Sequence, residues 1–514
     1  MRAEETDRSG HGHTAIRGTV DRSEDARYSE HTVRRQTRGG GGVADETRAQ
    51  GAPMETAGAD GPAAWTRRRF LAVAGGGATA AGALYAGLAL VERPARPVIA
   101  PPPHGYPDGQ YQILDYGVRV QSAPESAVEV IVPPAWNVVI TARLRRRPDR
   151  QAQGRLEAAL RAVESAYPYA PTGVFALVAY GLPYFRSYVR SSVVAAHLPR
   201  MAETGAPVLL DAVRFAGDPP ATRLEANDVA VHLRSDSLAT LRDVQQALFH
   251  QSGLLAGQPM STVDVSDLFH VTSIRTGFVG PGLPRQMAEK AGLAVASHIP
   301  PDAPLFMGFA STQRLGQASE SAVAFDRPPD PLLKPLTTAR PGDYFAGGTA
   351  LHLSHVLEDL DTWYALPYEQ RVARMFHLNA TAPPGRAAVE TLWLNPNPAA
   401  FDAAQRHIVG HNEAVQRGSR TPEGQALQLR VDFNTMDALD TPRPHPGVHF
   451  LAFTPGSEIF HRSRRAMDAT DLVGTYRVPA PANGINSFIR ATRRQNFLVP
   501  PRRHRAFPLI EHSA

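Results

Sequence analysis

The sequence predicts an α+β fold of two ferredoxin-like domains with antiparallel sheets. Two observations carry that prediction. Alternating, β-branched segments are separated by amphipathic helical ones, and the order β-α-β, β-α-β comes round twice along the chain. Nothing resembling the glycine-rich turn of a nucleotide-binding parallel sheet accompanies these strands.

The elements follow in order. Residues 1–65 hold neither Leu nor Phe and are rich in Gly, Arg, Glu, Asp and Thr, so they are expected to form a disordered leader. Next, Thr66-Arg67-Arg68-Arg69-Phe70-Leu71 resembles the twin-arginine (Tat) export motif, and 70–91 is an uncharged Ala/Gly-rich run. Residues 66–92 are therefore expected to be a twin-arginine signal. The run's 22 residues are also enough to span a bilayer, which keeps an uncleaved membrane anchor open. Met54 stands 13 residues before Arg67 and would give the signal a leader of ordinary length if translation began there. A Pro-rich linker covers 93–107.

The first domain is expected over 108–300. It has strands at 137–144, 173–185 and 228–235, helices at 150–167 and 237–251 (the second capped by Ser237), and a closing strand at 268–280. The 173–185 strand is expected to end in a tight Gly-Leu-Pro turn. The second domain, 301–510, is expected to run through strands at 303–311 and 347–357 and a helix at 358–377 with Pro367 near a break. Strands at 425–433 and 447–454 and a helix at 457–469 follow.

Composition narrows the chemistry. There is no cysteine, which excludes disulfides, thiolate-held metal or iron–sulfur sites, Cys nucleophiles and thioether-linked haem. A net charge of +5 over 514 residues is too modest to indicate a nucleic-acid partner. No Gly-x-Ser-x-Gly elbow is present, so a serine hydrolase has no support. "RHIVGHNEAVQR" (406–417) places His407 and His411 four apart, at the spacing of a zinc-binding helix, but Ile408 stands where a metalloprotease helix needs its general-base Glu. Arg490, Arg493, Arg494, Arg502, Arg503 and Arg505 have no acid among them and read as a basic face. Trp363 and Tyr364 read as helix-packing aromatics or electron relays.

Several segments together resemble the dye-decolorising (DyP-type) haem peroxidases of the dimeric α+β barrel group. They are "FALVAYGLPYF", "TGFVGPGLP", "GGTALHLSHVLEDLDTWYAL", "LQLRVDFN" and "GVHFLAFTPGSEIFHRSRRAM", with "NGINSFIRATRRQNFLVPP" (483–501) in the place of that family's C-terminal helix. The resemblance spans about 130–505 and implies an exported haem b peroxidase. Such an enzyme takes hydrogen peroxide and an organic reductant, with the Tat machinery as a partner in export and a homo-oligomer left open. It would work in the periplasm, outside the cell or on the membrane.

By the same resemblance, His411, 19 residues before Arg430, is the iron ligand, and Arg430 is the distal cation that stabilises charge as the O–O bond breaks. Gly277, Phe278 and Gly280 occupy the family's cofactor-facing loop, but Gly280 stands where the family has its distal Asp. Arg430 cannot carry protons, because its pKa stays above about 12. Asp432, two residues on and so on the same face of a strand, is the candidate replacement. The alternative is a non-catalytic haem-binding or membrane-tethered protein that lost peroxidase activity with that Asp.

Overall fold

In the computed structural model, which describes residues 107–116, 119–122, 129–327, 334–377 and 398–513, eight strands close into a ring. The expected leader, twin-arginine segment and nearly all of the linker lie outside those residues. Among the described residues no helix is long and apolar enough to cross a membrane.

The first half of the chain supplies β1 (Trp136–Leu144), α1 (Arg150–Ala166), β2 (Phe175–Gly181), α2 (Leu182–Tyr188), β3 (Val229–Ser235), α3 (Leu238–Phe249) and β4 (Phe269–Phe278). The pairings run β4-β1-β3-β2, all antiparallel, the ferredoxin-like arrangement that β-α-β-β-α-β connectivity produces. Asp149 caps α1 by accepting from the Ala152 amide at 2.7 Å, and Ser237 caps α3 by accepting from the Thr240 amide at 3.1 Å. One boundary differs from expectation. The chain does not turn at Gly-Leu-Pro but starts α2 there, because Pro183 in a first helical turn gives up only an amide that would have no partner.

The second half repeats the plan with β5 (Thr349–Glu358), α4 (Leu360–Tyr364), α5 (Tyr368–Met375), α6 (Ala399–Arg406), α7 (His411–Ser419), β6 (Leu429–Arg430), β7 (Phe433–Thr435), β8 (Gly447–Thr454), α8 (Ser457–Asp468) and β9 (Ile489–Val499). Its order, β9-β5-β8-β7, is the same as that of the first half. Pro367 splits the expected 358–377 helix into α4 and α5.

Two expectations fail. Residues 303–311 form buried turns rather than a strand, with Gly308 at φ 90 and the Phe306 amide donating to the Asn434 side chain at 2.8 Å instead of to a ladder. The segment expected to be a C-terminal helix is β9, which pairs with β5 along its whole length and with β2 at its end. Gln495 to Val499 all pair with β5, Phe497 and Leu498 also pair with β2, and that tertiary pairing overrides the segment's helical look.

The ring closes where β7 meets β4 (Asn434 opposite Phe278) and where β9 meets β2 (Phe497 opposite Gly181, Leu498 opposite Tyr180). Side-chain alternation then sorts residues to two faces. Inside the ring, Val139, Leu177, Ala230, Leu353, Leu451 and Phe497 from both halves form one buried cluster. Outside, α1 and α3 bury Leu156, Leu160, Leu241 and Val244 against Val138 and Val231. On β5, Leu351, Leu353 and His355 face inward while Ser354, Val356 and Glu358 face outward, and the outward set lines a cavity under α7 and α8.

Candidate functional site

The local sequence decides where His411 stands. Helix α6 ends at His407, which adopts a left-handed conformation (φ 52), and the chain restarts helix only after Gly410. A Cβ on Gly410 would lie 2.0 Å from the Phe376 carbonyl oxygen, so only glycine lets the chain pass there. Glu413 closes the new helix start by accepting from the Gly410 amide at 2.5 Å. The two histidines therefore sit on different helices, contrary to the expectation that they share one. His407 is exposed, with Nδ1 at 2.8 Å from the Tyr476 carbonyl, and cannot join His411 as an i,i+4 metal pair.

His411, Arg430 and Asp432 line the same cavity of about 170 Å³, together with Glu358, Arg464 and Arg494. Leu305, Met307, Phe309, Met375, Phe460 and Met467 make much of the remaining wall apolar. The Nδ1 atom of His411 is buried and takes no hydrogen bond. Burial, and then the charges of Arg430 and Arg464, hold its pKa down at about 3, so the ring is neutral and keeps a lone pair to donate.

The expected 425–433 strand is broken into β6 and β7, with the Val431 amide still donating to the Leu451 carbonyl at 2.9 Å. Arg430 and Asp432 nevertheless reach the cavity together. The Arg430 amide donates to Gln317 Oε1 at 2.9 Å and its guanidinium donates to the Ser311 carbonyl, which fixes the side chain. Ser311 Oγ donates to Asp432 Oδ2 at 2.5 Å, while Asp432 Oδ1 is buried with no partner.

Glu358 was not singled out by sequence. Its Oε2 is buried without a partner, and burial followed by the nearby Asp432 carboxylate pushes its pKa up to about 8. It is therefore protonated at neutral pH and can give a proton. The readable signal was its parity with Ser354 and Val356 at the end of an alternating strand. Beside the cavity Asp218 holds two of its lining guanidiniums, accepting from Arg494 Nη2 at 2.5 Å and lying 3.6 Å from Arg464.

Gly277, Phe278 and Gly280 are not among the lining residues. A Cβ on Gly277 would lie 2.1 Å from the Asn434 carbonyl oxygen, so this glycine serves the β4–β7 junction. Phe278 is fully buried and packs edge-on against Phe306 at 5.6 Å. Gly280, at φ 139, donates its amide to the Pro304 carbonyl at 3.5 Å.

Trp363 and Tyr364 donate to the Met307 and Phe306 carbonyls at 2.9 and 2.7 Å and are packing residues. The C-terminal arginines are not a bare basic face. Arg493 meets Asp440, Arg494 meets Asp218, Arg502 meets Glu164, Arg503 meets Asp108, and Arg505 meets both Glu157 and Glu164.

A family model described as a family of unknown function (DUF7405) matches residues 134–501. The chain belongs to this family. No curated protein matches it. Among solved structures, a putative DyP-type peroxidase from Shewanella oneidensis is 15% identical, with 72% of this chain and 94% of that one covered at a TM-score of 0.44. The encapsulated DyP-type peroxidase from Mycobacterium smegmatis is 15% identical, covering 73% and 95% at 0.45. A DypB variant from Rhodococcus jostii in complex with heme is 15% identical, covering 74% and 96% at 0.45. These are loose likenesses, and what the cavity does rests on the residues that line it.

Proposed function

We propose that this chain is a haem b-dependent peroxidase, exported by the Tat pathway, that oxidises an organic donor with hydrogen peroxide. One observation carries the reading: a neutral imidazole with an unpartnered buried nitrogen shares a cavity with a fixed guanidinium and two carboxyl groups, of which Glu358 is held protonated at neutral pH.

The donor set fits a haem. His411 would hold the iron, since neutral imidazole is a strong axial ligand. Arg464 and Arg494 also line the cavity and would meet the group's carboxylates. The present volume is below the roughly 300–1,000 Å³ of small-molecule sites, so the macrocycle needs wall side chains to shift. Met307, Met375 and Met467 are unbranched and adaptable enough to do so. Bound haem supplies the redox-active iron at which peroxide is reduced.

The chain's own groups handle charge and protons. Arg430 offers a charge that cannot be lost, which stabilises negative charge developing on peroxide oxygen. The free Oδ1 of Asp432 accepts the peroxide proton, and Glu358, protonated at neutral pH, replaces a proton on the departing oxygen. This pair takes the part of the acid that Gly280 cannot provide.

The test is optical. Full-length chain expressed with haem supply should show a Soret band that His411→Ala abolishes, and should oxidise a dye on addition of peroxide. Absence of the band in wild-type protein would overturn the proposal. A band without peroxide turnover would leave haem binding and remove the peroxidase.

A further inference from the structure

A second cluster of ligand-type side chains lies on the other face of the sheet, inside the ring. His355 on β5 and His449 on β8 are direct cross-strand partners, and Asp437 follows β7 beside them. Both imidazoles are fully buried and Asp437 is nearly so. His355 Nε2 lies 3.4 Å from Asp437 Oδ1, His449 Nε2 lies 2.9 Å from Asp437 Oδ2, and the three potential ligand atoms fall within 4.8 Å of one another.

We propose that His355, His449 and Asp437 form a binding site for a divalent first-row cation, of which Zn²⁺ is the simplest occupant. This site is separate from the cavity that holds His411.

Three features favour a cation over an ordinary buried hydrogen-bond cluster. The first is orientation. His355 Nδ1 is engaged by Thr492 Oγ1 at 2.6 Å and by Asp440 Oδ2 at 3.3 Å, which aims Nε2 at Asp437. A carboxylate behind a histidine is the usual support for a metal-binding imidazole. The second is an orphaned atom. His355 Nε2, the atom aimed into the site, has no hydrogen-bond partner in full burial. Buried polar atoms without partners are rare, and an unseen ion is one of their standard explanations.

The third is charge. Asp437 connects through His355 and Asp440 to Arg493, which reaches Glu225, which in turn grips Arg275. That chain brings three carboxylates (Glu225, Asp437 and Asp440) together with only two guanidiniums (Arg275 and Arg493). Buried charge is expensive unless it is compensated. Asp437 is held facing the two imidazoles: Oδ1 accepts from the Leu439 amide at 3.0 Å and Oδ2 from Thr435 Oγ1 at 3.1 Å. Two imidazoles and one carboxylate with a remaining open position suit zinc, or ferrous iron as the neighbouring possibility of the same donor class.

The experiment uses the full chain, produced without haem supply in medium supplemented with zinc, so that a buried site can fill during folding. Elemental analysis after gel filtration should find one zinc per chain. Production with Co²⁺ in place of zinc should give visible ligand-field bands. His355→Gln and Asp437→Asn should lose the metal, whereas His411→Ala should keep it, which separates this site from the haem reading. Asp440→Asn, which leaves the three ligands in place, should weaken binding by about 10- to 100-fold. Wild-type protein that contains no stoichiometric zinc or cobalt overturns the proposal and leaves a bare Asp437–imidazole pair. So does folded His355→Gln protein, judged by its circular dichroism, that retains as much metal as wild type.

Discussion

At the scale of single residues, the cavity is a set of charges held in unequal surroundings. His411 and Arg430 were singled out through the family resemblance, and Asp432 because two residues along an extended chain share a face; the structure brings all three to one cavity. Glu358 was missed: its parity with Ser354 and Val356 gives its face, but not that a strand-end acid will be buried near another acid. Its raised pKa gives a pH prediction. Glu358 stays protonated in the folded chain up to about pH 8, whereas its ordinary value is 4.5. The folded state therefore holds more protons across that window, and stability should fall as pH rises from about 4.5 through 8. Glu358→Gln should remove this contribution, flattening a fall on the order of a few kcal/mol, as measured by urea unfolding across pH. A variant whose pH profile matches wild type would show that Glu358 is already ionised. Asp432→Asn should act on the same group by removing the charge that helps raise it. The alkaline limb of peroxide turnover should then move to lower pH and its maximum fall about 10²- to 10⁴-fold, the usual worth of a positioned proton carrier.

At the scale of elements, helices were read well where a periodic apolar face marks them, as in α1, and where a cap agrees with it, as in α3 with Ser237. They were misread where backbone demands outrank pattern. The interval from His407 to His411 is helical by spacing, but the left-handed His407 and the tight passage at Gly410 cut it in two. A run of arginines between apolar residues at 489–499 looks amphipathic in a helix as well as in a strand, and the edges of β5 and β2 decide for the strand. The Gly410 passage is testable. Gly410→Ala puts a methyl 2.0 Å from the Phe376 carbonyl oxygen, so α7 must shift and carry His411 with it. The cost should be about 1–3 kcal/mol in denaturant unfolding, with haem affinity reduced although no cavity residue has changed. Wild-type stability and an unchanged Soret band in that variant would show that the helix start is slack.

For the whole molecule, the repeated β-α-β order made two similar sheets legible, but not how they meet, because pairing between distant strands leaves no local mark. The meeting is narrow in hydrogen bonds: one Cα pair joins β7 to β4, and two join β9 to β2. It is wide in packing, since Val139, Leu177 and Ala230 of the first half share a core with Leu353, Leu451 and Phe497 of the second. Separating the halves would expose that core along with the free edges of β2, β4, β7 and β9. Burial is the larger quantity, so the ring should unfold as one unit. In scanning calorimetry, the metal-free and haem-free chain should give a single endotherm with calorimetric and van't Hoff enthalpies in agreement. Phe497→Ala tests where the coupling resides. That side chain is fully buried inside the ring at the β9–β2 joint. Truncation should cost about 3–5 kcal/mol and lower the one transition as a whole. A transition that splits in two would instead mean that each sheet carries its own stability and that the ring is only a contact between them.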